Sequence, residues 1–173
     1  MALLRVRRGG ASFALTVGLV VTGFGLAGCA QPAGATPVGA SGSPALCAAI
    51  GRVERVVIRR VQGNSQLRIA FPARVVVRDR SRARAAARAV CSLPPMPPGT
   101  FYCPVDLGVR YRLTFTADGR ALRPVTLDAG GCQQVTGLGR VRWAARSPHF
   151  WRALGNAAGL RHATFQTFAG VLR

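Results

Sequence analysis

A chain of 173 residues with 24 arginines, no lysine and five acids carries a formal charge of +19 at neutral pH, while 49% of its residues are hydrophobic. That length holds one core and its appendages and excludes a multidomain assembly. Glu54, Asp79, Asp106, Asp118 and Asp128, with His149 and His162, are too few and too scattered for an evident acid–base or metal constellation, so catalysis, a cofactor and a bound metal are not expected.

Arg5, Arg7 and Arg8 precede an uncharged run over residues 9–25, the charged and apolar parts of an export signal. The run ends in Leu26-Ala27-Gly28-Cys29, which resembles the lipobox of bacterial lipoproteins. The resemblance implies that the Cys29 thiol receives a diacylglyceryl group and that the chain is cut just before it, so that residues 1–28 are signal peptide. A membrane-spanning helix is the competing reading, but the run is at the lower edge of the roughly 17–25 residues required and is interrupted by Gly, Ser and Thr. The product is therefore expected on the extracytoplasmic face of the cell membrane, anchored through its acylated cysteine.

Three arginines leave with the signal, so 21 remain against five acids. Anionic lipid attracts a nearby basic residue by about 1 kcal/mol, and cell-wall polymers offer the same sign of charge. Nucleic acid is not an expected partner, because the chain is exported and carries no nucleic-acid-binding motif. The sequence indicates no particular protein partner.

Residues 29–44 are mostly Pro, Gly, Ala, Ser and Thr, with Val38 the one branched aliphatic residue and no charge, and read as a flexible tether. A single domain is expected over 45–173. Residues 45–50 are expected to form a short helix carrying Cys47 into it. Residues 53–61 are rich in β-branched side chains, and Gln62-Gly63-Asn64-Ser65 supplies turn chemistry before the next strand. In that strand Leu67, Ile69, Phe71, Ala73, Val75 and Val77 share one face, while Arg68, Arg74 and Arg78 share the other. Pro72 marks it as an edge or a bulged strand.

Asp79 or Ser81 is expected to cap a helix running to Leu93, with Ala83, Ala86, Val90 and Leu93 on one side and Pro94-Pro95 as the stop. Val109, Tyr111, Leu113 and Phe115 then alternate with Arg110, Arg112, Thr114 and Thr116. Ala117-Asp118-Gly119 reads as a three-residue hairpin loop with a bulge. Pairing about it sets Tyr111 opposite Val125 and Val109 opposite Leu127. It also sets Cys103 opposite Gln133, one residue past Cys132, with Gly130-Gly131 absorbing the slip. This favours a Cys103–Cys132 disulfide and leaves Cys47 for Cys91. Four cysteines allow three connectivities. The competing Cys91–Cys103 bridge closes a smaller ring, about 2.9 against about 3.6 kcal/mol, too small a difference to decide alone.

Residues 139–145 read as a last strand, and Ser147-Pro148 opens a second helix with Phe150, Trp151, Leu154, Ala157 and Ala158 on its apolar side. Phe165, Phe168 and Val171 have helical spacing. The expected fold is α+β: an antiparallel sheet of four or five strands with two helices, stapled by disulfides. The sheet's outward parity collects Arg110, Arg112, Arg123, Arg140 and Arg142, a candidate surface for an anionic ligand. Its competing reading is a solvated charged face.

Leu93-Pro94, Met96-Pro97, Gly99-Thr100, Cys103-Pro104, Asp106, Gly108, Tyr111, Gly131-Cys132, Gly137-Leu138-Gly139 and Phe150-Trp151 resemble a group of actinobacterial lipoproteins with no assigned activity. That resemblance implies the compartment and little chemistry; the expected role, a non-catalytic binding or interaction module at the envelope, follows from the lack of a convergent acid–base constellation and from the arginine excess. A helix, then Cys-Pro, then a hairpin closed by a later Cys is similar to the Streptomyces subtilisin inhibitor family. This second resemblance implies a reactive loop over 103–106, with Val105 as the specificity residue and Asp106 after the scissile bond. A hairpin staple is the plainer reading, since Asp106 and the neighbouring segment depart from that family's pattern.

Overall fold

The computed structural model describes residues 45–172; the expected signal peptide 1–28, Cys29 and the tether 29–44 lie outside them. Two single-turn 3-10 helices, Leu46–Ala48 and Ile50–Arg52, lead in. There follow β1 (Val53–Gln62), β2 (Leu67–Arg68), β3 (Arg74–Val77), α1 (Arg80–Cys91), β4 (Arg110–Ala117), β5 (Arg120–Ala121) and β6 (Val125–Asp128). The chain continues through β7 (Gln134–Thr136), β8 (Arg142–Trp143), α2 (Pro148–Ala157), α3 (Phe165–Ala169) and β9 (Val171–Leu172). The main sheet runs β3-β1-β4-β6-β7-β8 with β5 also on β4, and β2 pairs separately with β9. Every pairing is antiparallel.

The fold is α+β, with more strands than the sequence pattern announces and a third, short helix. The added strands are β5, β7 and β9, of two or three residues each, while β2 comes from the division of the expected 67–77 strand and β8 is the part of the expected 139–145 strand that forms. Segments of that length display no period of their own and are defined only by the partner they meet.

One face of the sheet is the core. Val56, Ile58, Leu113, Phe115, Tyr111, Val125, Leu127 and Val135 are buried on it, as the cross-strand register requires. Helix α1 packs on β1 and against α2. Its buried side is Ala83, Ala86, Ala87 and Val90, small enough to bring the helix close to the sheet. The Asp79 side chain caps it, accepting the Arg82 N–H at 2.9 Å, a contact worth about 1 kcal/mol. The helix stops at Cys91, and Leu93 is buried just beyond it. Cys91 is bonded to Cys47, Cα–Cα 5.6 Å, so the first turn of the domain is pinned to the end of α1.

The segment 67–77 is not one strand. Its N-terminal part pairs with β9, and only Arg74–Val77 joins β1, at the sheet's edge. Pro72, which has no N–H, sits in the gap. Around it Phe71 donates its N–H to the Thr167 carbonyl at 2.8 Å, and the Phe71 carbonyl accepts Arg60 Nη1 at 3.4 Å.

The β4 hairpin closes differently from the expected three-residue loop. Ala117 pairs with Arg120 across a two-residue turn, Asp118-Gly119, both at positive φ (50° and 71°), the conformation a tight hairpin demands. One extra residue then enters at Arg123-Pro124. Tyr111 consequently faces Leu127, and Leu113 faces Val125. The register differs from expectation by two residues, which preserves which side chains point inward.

Ser147 precedes α2 but makes no side-chain cap bond, and Pro148 occupies the first turn. The tail packs. Phe168 stacks on Phe71 (centroids 4.4 Å apart) and contacts Trp151 and Tyr111, while Gly170 at φ 82° turns Val171 out of the helix and into β9.

Candidate functional site

The solvent-facing side of the sheet is set by the same registers. Arg59 of β1 lies opposite Arg74 of β3 on one side and Arg112 of β4 on the other; Arg112 lies opposite Thr126, and Thr126 opposite Thr136. These five positions form a straight row across five strands, about 19 Å long at ~4.8 Å per strand. All three arginines are exposed. Neighbouring rows add Val76, Val57 and Thr114, then Arg55 with Thr116, whose side chains approach to 3.4 Å. Like charges directly opposite in a sheet destabilise it, and among the described residues none of Arg59, Arg74 and Arg112 has a carboxylate partner. Their repulsion is relieved by water and counterions alone.

Of the five arginines expected on one face, Arg110 and Arg112 lie there. Arg110 is ion-paired with Asp128, its opposite residue, and that hydrogen bond, followed by Coulomb attraction to the same carboxylate, raises its pKa above the usual arginine value. Arg123 is exposed at the extra residue between β5 and β6, and Arg140 is exposed in the loop before β8. Arg142 has to be moved to the opposite face. Strand β7 intervenes, sets Val135 opposite Arg142 and so turns that side chain to the core side. There it is half-buried and its Nη1 donates to the Leu93 carbonyl at 3.0 Å, in the segment just past the end of α1. Arg84 serves the Val53 carbonyl at 3.1 Å in the same manner. Part of the arginine excess is thus structural: guanidiniums reach backbone acceptors just past the end of α1 and at the start of β1.

Arg55, Arg59 and Arg74 were not among the candidates. Bulges beside Glu54 and Val61 displace the register of β1 at both ends, so its local sequence carries no clean alternation. The signal that could have found them is Arg59 between Val57 and Val61, read together with the evident face of Arg74.

The loop over 101–108 is irregular. Cys103 is bonded to Cys132 with Cα atoms 4.9 Å apart, but the ladder that was expected to bring them together ends at the Ala129 N–H to Val109 carbonyl bond. Tyr102 and Val105 are exposed, Val105 at 80%. Asp106 accepts the Gly108 N–H at 2.9 Å and lies against Gly130 and Gly131, closing the loop on itself. At the far end of the sheet Phe101 meets Trp143 at 5.4 Å, with the Arg146 guanidinium 5.0 Å above the indole.

Compared with protein-family models, curated proteins and solved structures, the chain matches none. The site must therefore be judged by its own chemistry.

All five carboxylates have structural partners or positions. Asp79 caps α1, Asp118 pairs with Arg52 at 2.9 Å, Glu54 accepts the Gly119 N–H at 3.3 Å, Asp128 holds Arg110, and Asp106 closes its loop. Among the described residues no three His, Cys, Asp or Glu side chains converge as metal ligands, and no helix is long and apolar enough to cross a membrane. What the face offers is exposed guanidiniums at strand positions set by the register, beside threonine hydroxyls, an arrangement that donates hydrogen bonds to anionic oxygens.

Proposed function

We propose that this is a lipid-anchored, non-catalytic binding module of the cell envelope, held at the extracytoplasmic membrane face through Cys29 and engaging anionic lipid or wall polymer with its open sheet face. The observation that carries this reading is the Arg74-Arg59-Arg112 row: three aligned cations, exposed and without carboxylate partners among the described residues, continued by Thr126 and Thr136. Cations matched only by water gain from an anionic partner, and the gain falls as salt screens it. Membrane anchoring would place that face within reach of such partners.

Two measurements test it. Replacing Cys29 by Ala should release the protein from the membrane fraction and remove the acyl mass; unchanged fractionation and mass defeat the anchor. Binding to phosphate-bearing wall polymer should weaken with salt and fall about tenfold in Arg59→Gln/Arg112→Gln, a loss of about 1.4 kcal/mol. Equal loss in Arg80→Gln/Arg88→Gln on α1 means that net charge alone matters.

A second reading, protease inhibition, has the exposure of Val105 on a disulfide-anchored loop in its favour. Inhibition of a subtilisin-like protease that disappears on changing Val105 would select it over the first.

A further inference from the structure

A cleft of about 670 Å³ opens between the first half of α2 and residues 162–166, away from the arginine row. Its wall is apolar where Ala145, Pro148, Trp151, Ala163 and Phe165 meet, and polar where Gln133, Arg152, His162 and Gln166 border it. None of the five acids lines it. The volume is in the range of small-molecule sites, which combine an apolar lining with a few polar groups that fix orientation.

The cleft is built rather than incidental to loose packing. Gly155 of α2 has its missing Cβ position filled by the Ala163 methyl, so helix and loop are in direct contact immediately behind the wall. The Leu160 N–H is bonded to the Gly155 carbonyl at 2.9 Å, and Ala163 is buried. Gln133 and His162, both lining the cleft, are two of the three non-glycine residues with positive φ among the described residues, at 52° and 57°. The Thr164 hydroxyl donates to Gln166 Oε1 at 3.0 Å, which fixes that amide with its NH2 group as the remaining donor.

We infer that this cleft binds a small organic carboxylate with an apolar, planar body: the Arg152 guanidinium and the Gln and His donors take the carboxylate, and the accessible Phe165 and Pro148 side chains, backed by the buried Trp151, take the body. Arginine is always charged and offers paired N–H donors matched to a carboxylate. A single arginine suits a monoanion, and the absence of any lining acid leaves no competitor for it. The inference is independent of the sheet face, from which the cleft shares no residue.

The test uses the full chain in neutral detergent, with ligand-observed NMR of benzoate and phenylacetate beside their uncharged amides. Each carboxylate should bind at least about tenfold more tightly than its amide. Arg152→Gln, an exposed substitution, should remove that preference while the weaker amide binding persists; Arg59→Gln/Arg112→Gln should leave it intact. Equal binding of acid and amide, an unaltered preference in Arg152→Gln, its loss in Arg59→Gln/Arg112→Gln, or no binding of any probe at millimolar concentration would each overturn the proposal.

Discussion

The Tyr111 hydroxyl, on a fully buried side chain of β4, donates a 2.8 Å hydrogen bond to the Phe168 carbonyl of α3. This ties the C-terminal segment to the sheet through the Phe71–Tyr111–Phe168 aromatic group. Burial raises the phenol from an ordinary value of 10.0 to about 12, opposed in part by the nearby Arg60 guanidinium. Folding thus favours the neutral phenol. Its stabilising contribution is intact below pH 10 and is lost as pH rises through about 12. Tyr111→Phe should be about 1–3 kcal/mol less stable at neutral pH, because the Phe168 carbonyl loses its donor, yet should lose less stability than the parent on going to high pH. Parallel stability curves for the two proteins in alkaline buffer would contradict the assignment.

The disulfides join Cys47 to Cys91 and Cys103 to Cys132, 44 and 29 residues apart. Loop-closure entropy puts their contributions at about 4.0 and about 3.6 kcal/mol. Paired Cys→Ser variants should lose similar amounts in denaturant unfolding. Non-reducing peptide mapping should recover both pairs; recovery of Cys91 joined to Cys103 would overturn both assignments.

What the sequence disclosed, and what it hid, divides by how far each feature depends on a distant partner. Asp79, the Ala83-Ala86-Val90 spacing and Pro94-Pro95 define α1 from neighbours alone, and the helix forms there. The inward parity of Tyr111, Leu113 and Phe115 is likewise local, and it survived a two-residue change in register. Both disulfide partners were legible, although Cys103 meets Cys132 beyond the end of the ladder rather than within it. Arg142 was not legible, because its direction depends on β7, three residues whose strand character exists only once β6 and β8 flank them. The Arg59-Arg74-Arg112 row was hidden for the same reason: three positions from three strands align only after the bulges in β1 are known.

Arg142 and Arg140 are two residues apart and chemically identical, yet one donates to the Leu93 carbonyl and the other is exposed in a loop. Arg142→Gln should cost about 1–3 kcal/mol, since it removes a charged donor from the carbonyl of the buried Leu93. Arg140→Gln should stay within about 0.5 kcal/mol of the parent. Matching losses in thermal unfolding would show that the Leu93 contact contributes nothing.

Gly155 tests whether α2 and residue 163 touch as closely as the structure shows. Glycine inside an exposed helix is worth replacing: alanine there gains about 1 kcal/mol from backbone entropy. At Gly155 the new methyl would occupy the space of the Ala163 methyl, and the nearest escape is blocked by the Ala163 Cα 3.5 Å away. Overpacking of this kind costs about 1–3 kcal/mol, so the sign reverses and Gly155→Ala should be destabilising. Adding Ala163→Gly makes room for the methyl and should restore part of the loss, leaving the helix gain visible against the Ala163→Gly single variant. A Gly155→Ala protein more stable than its parent would mean that α2 and the 162–166 segment stand further apart than described.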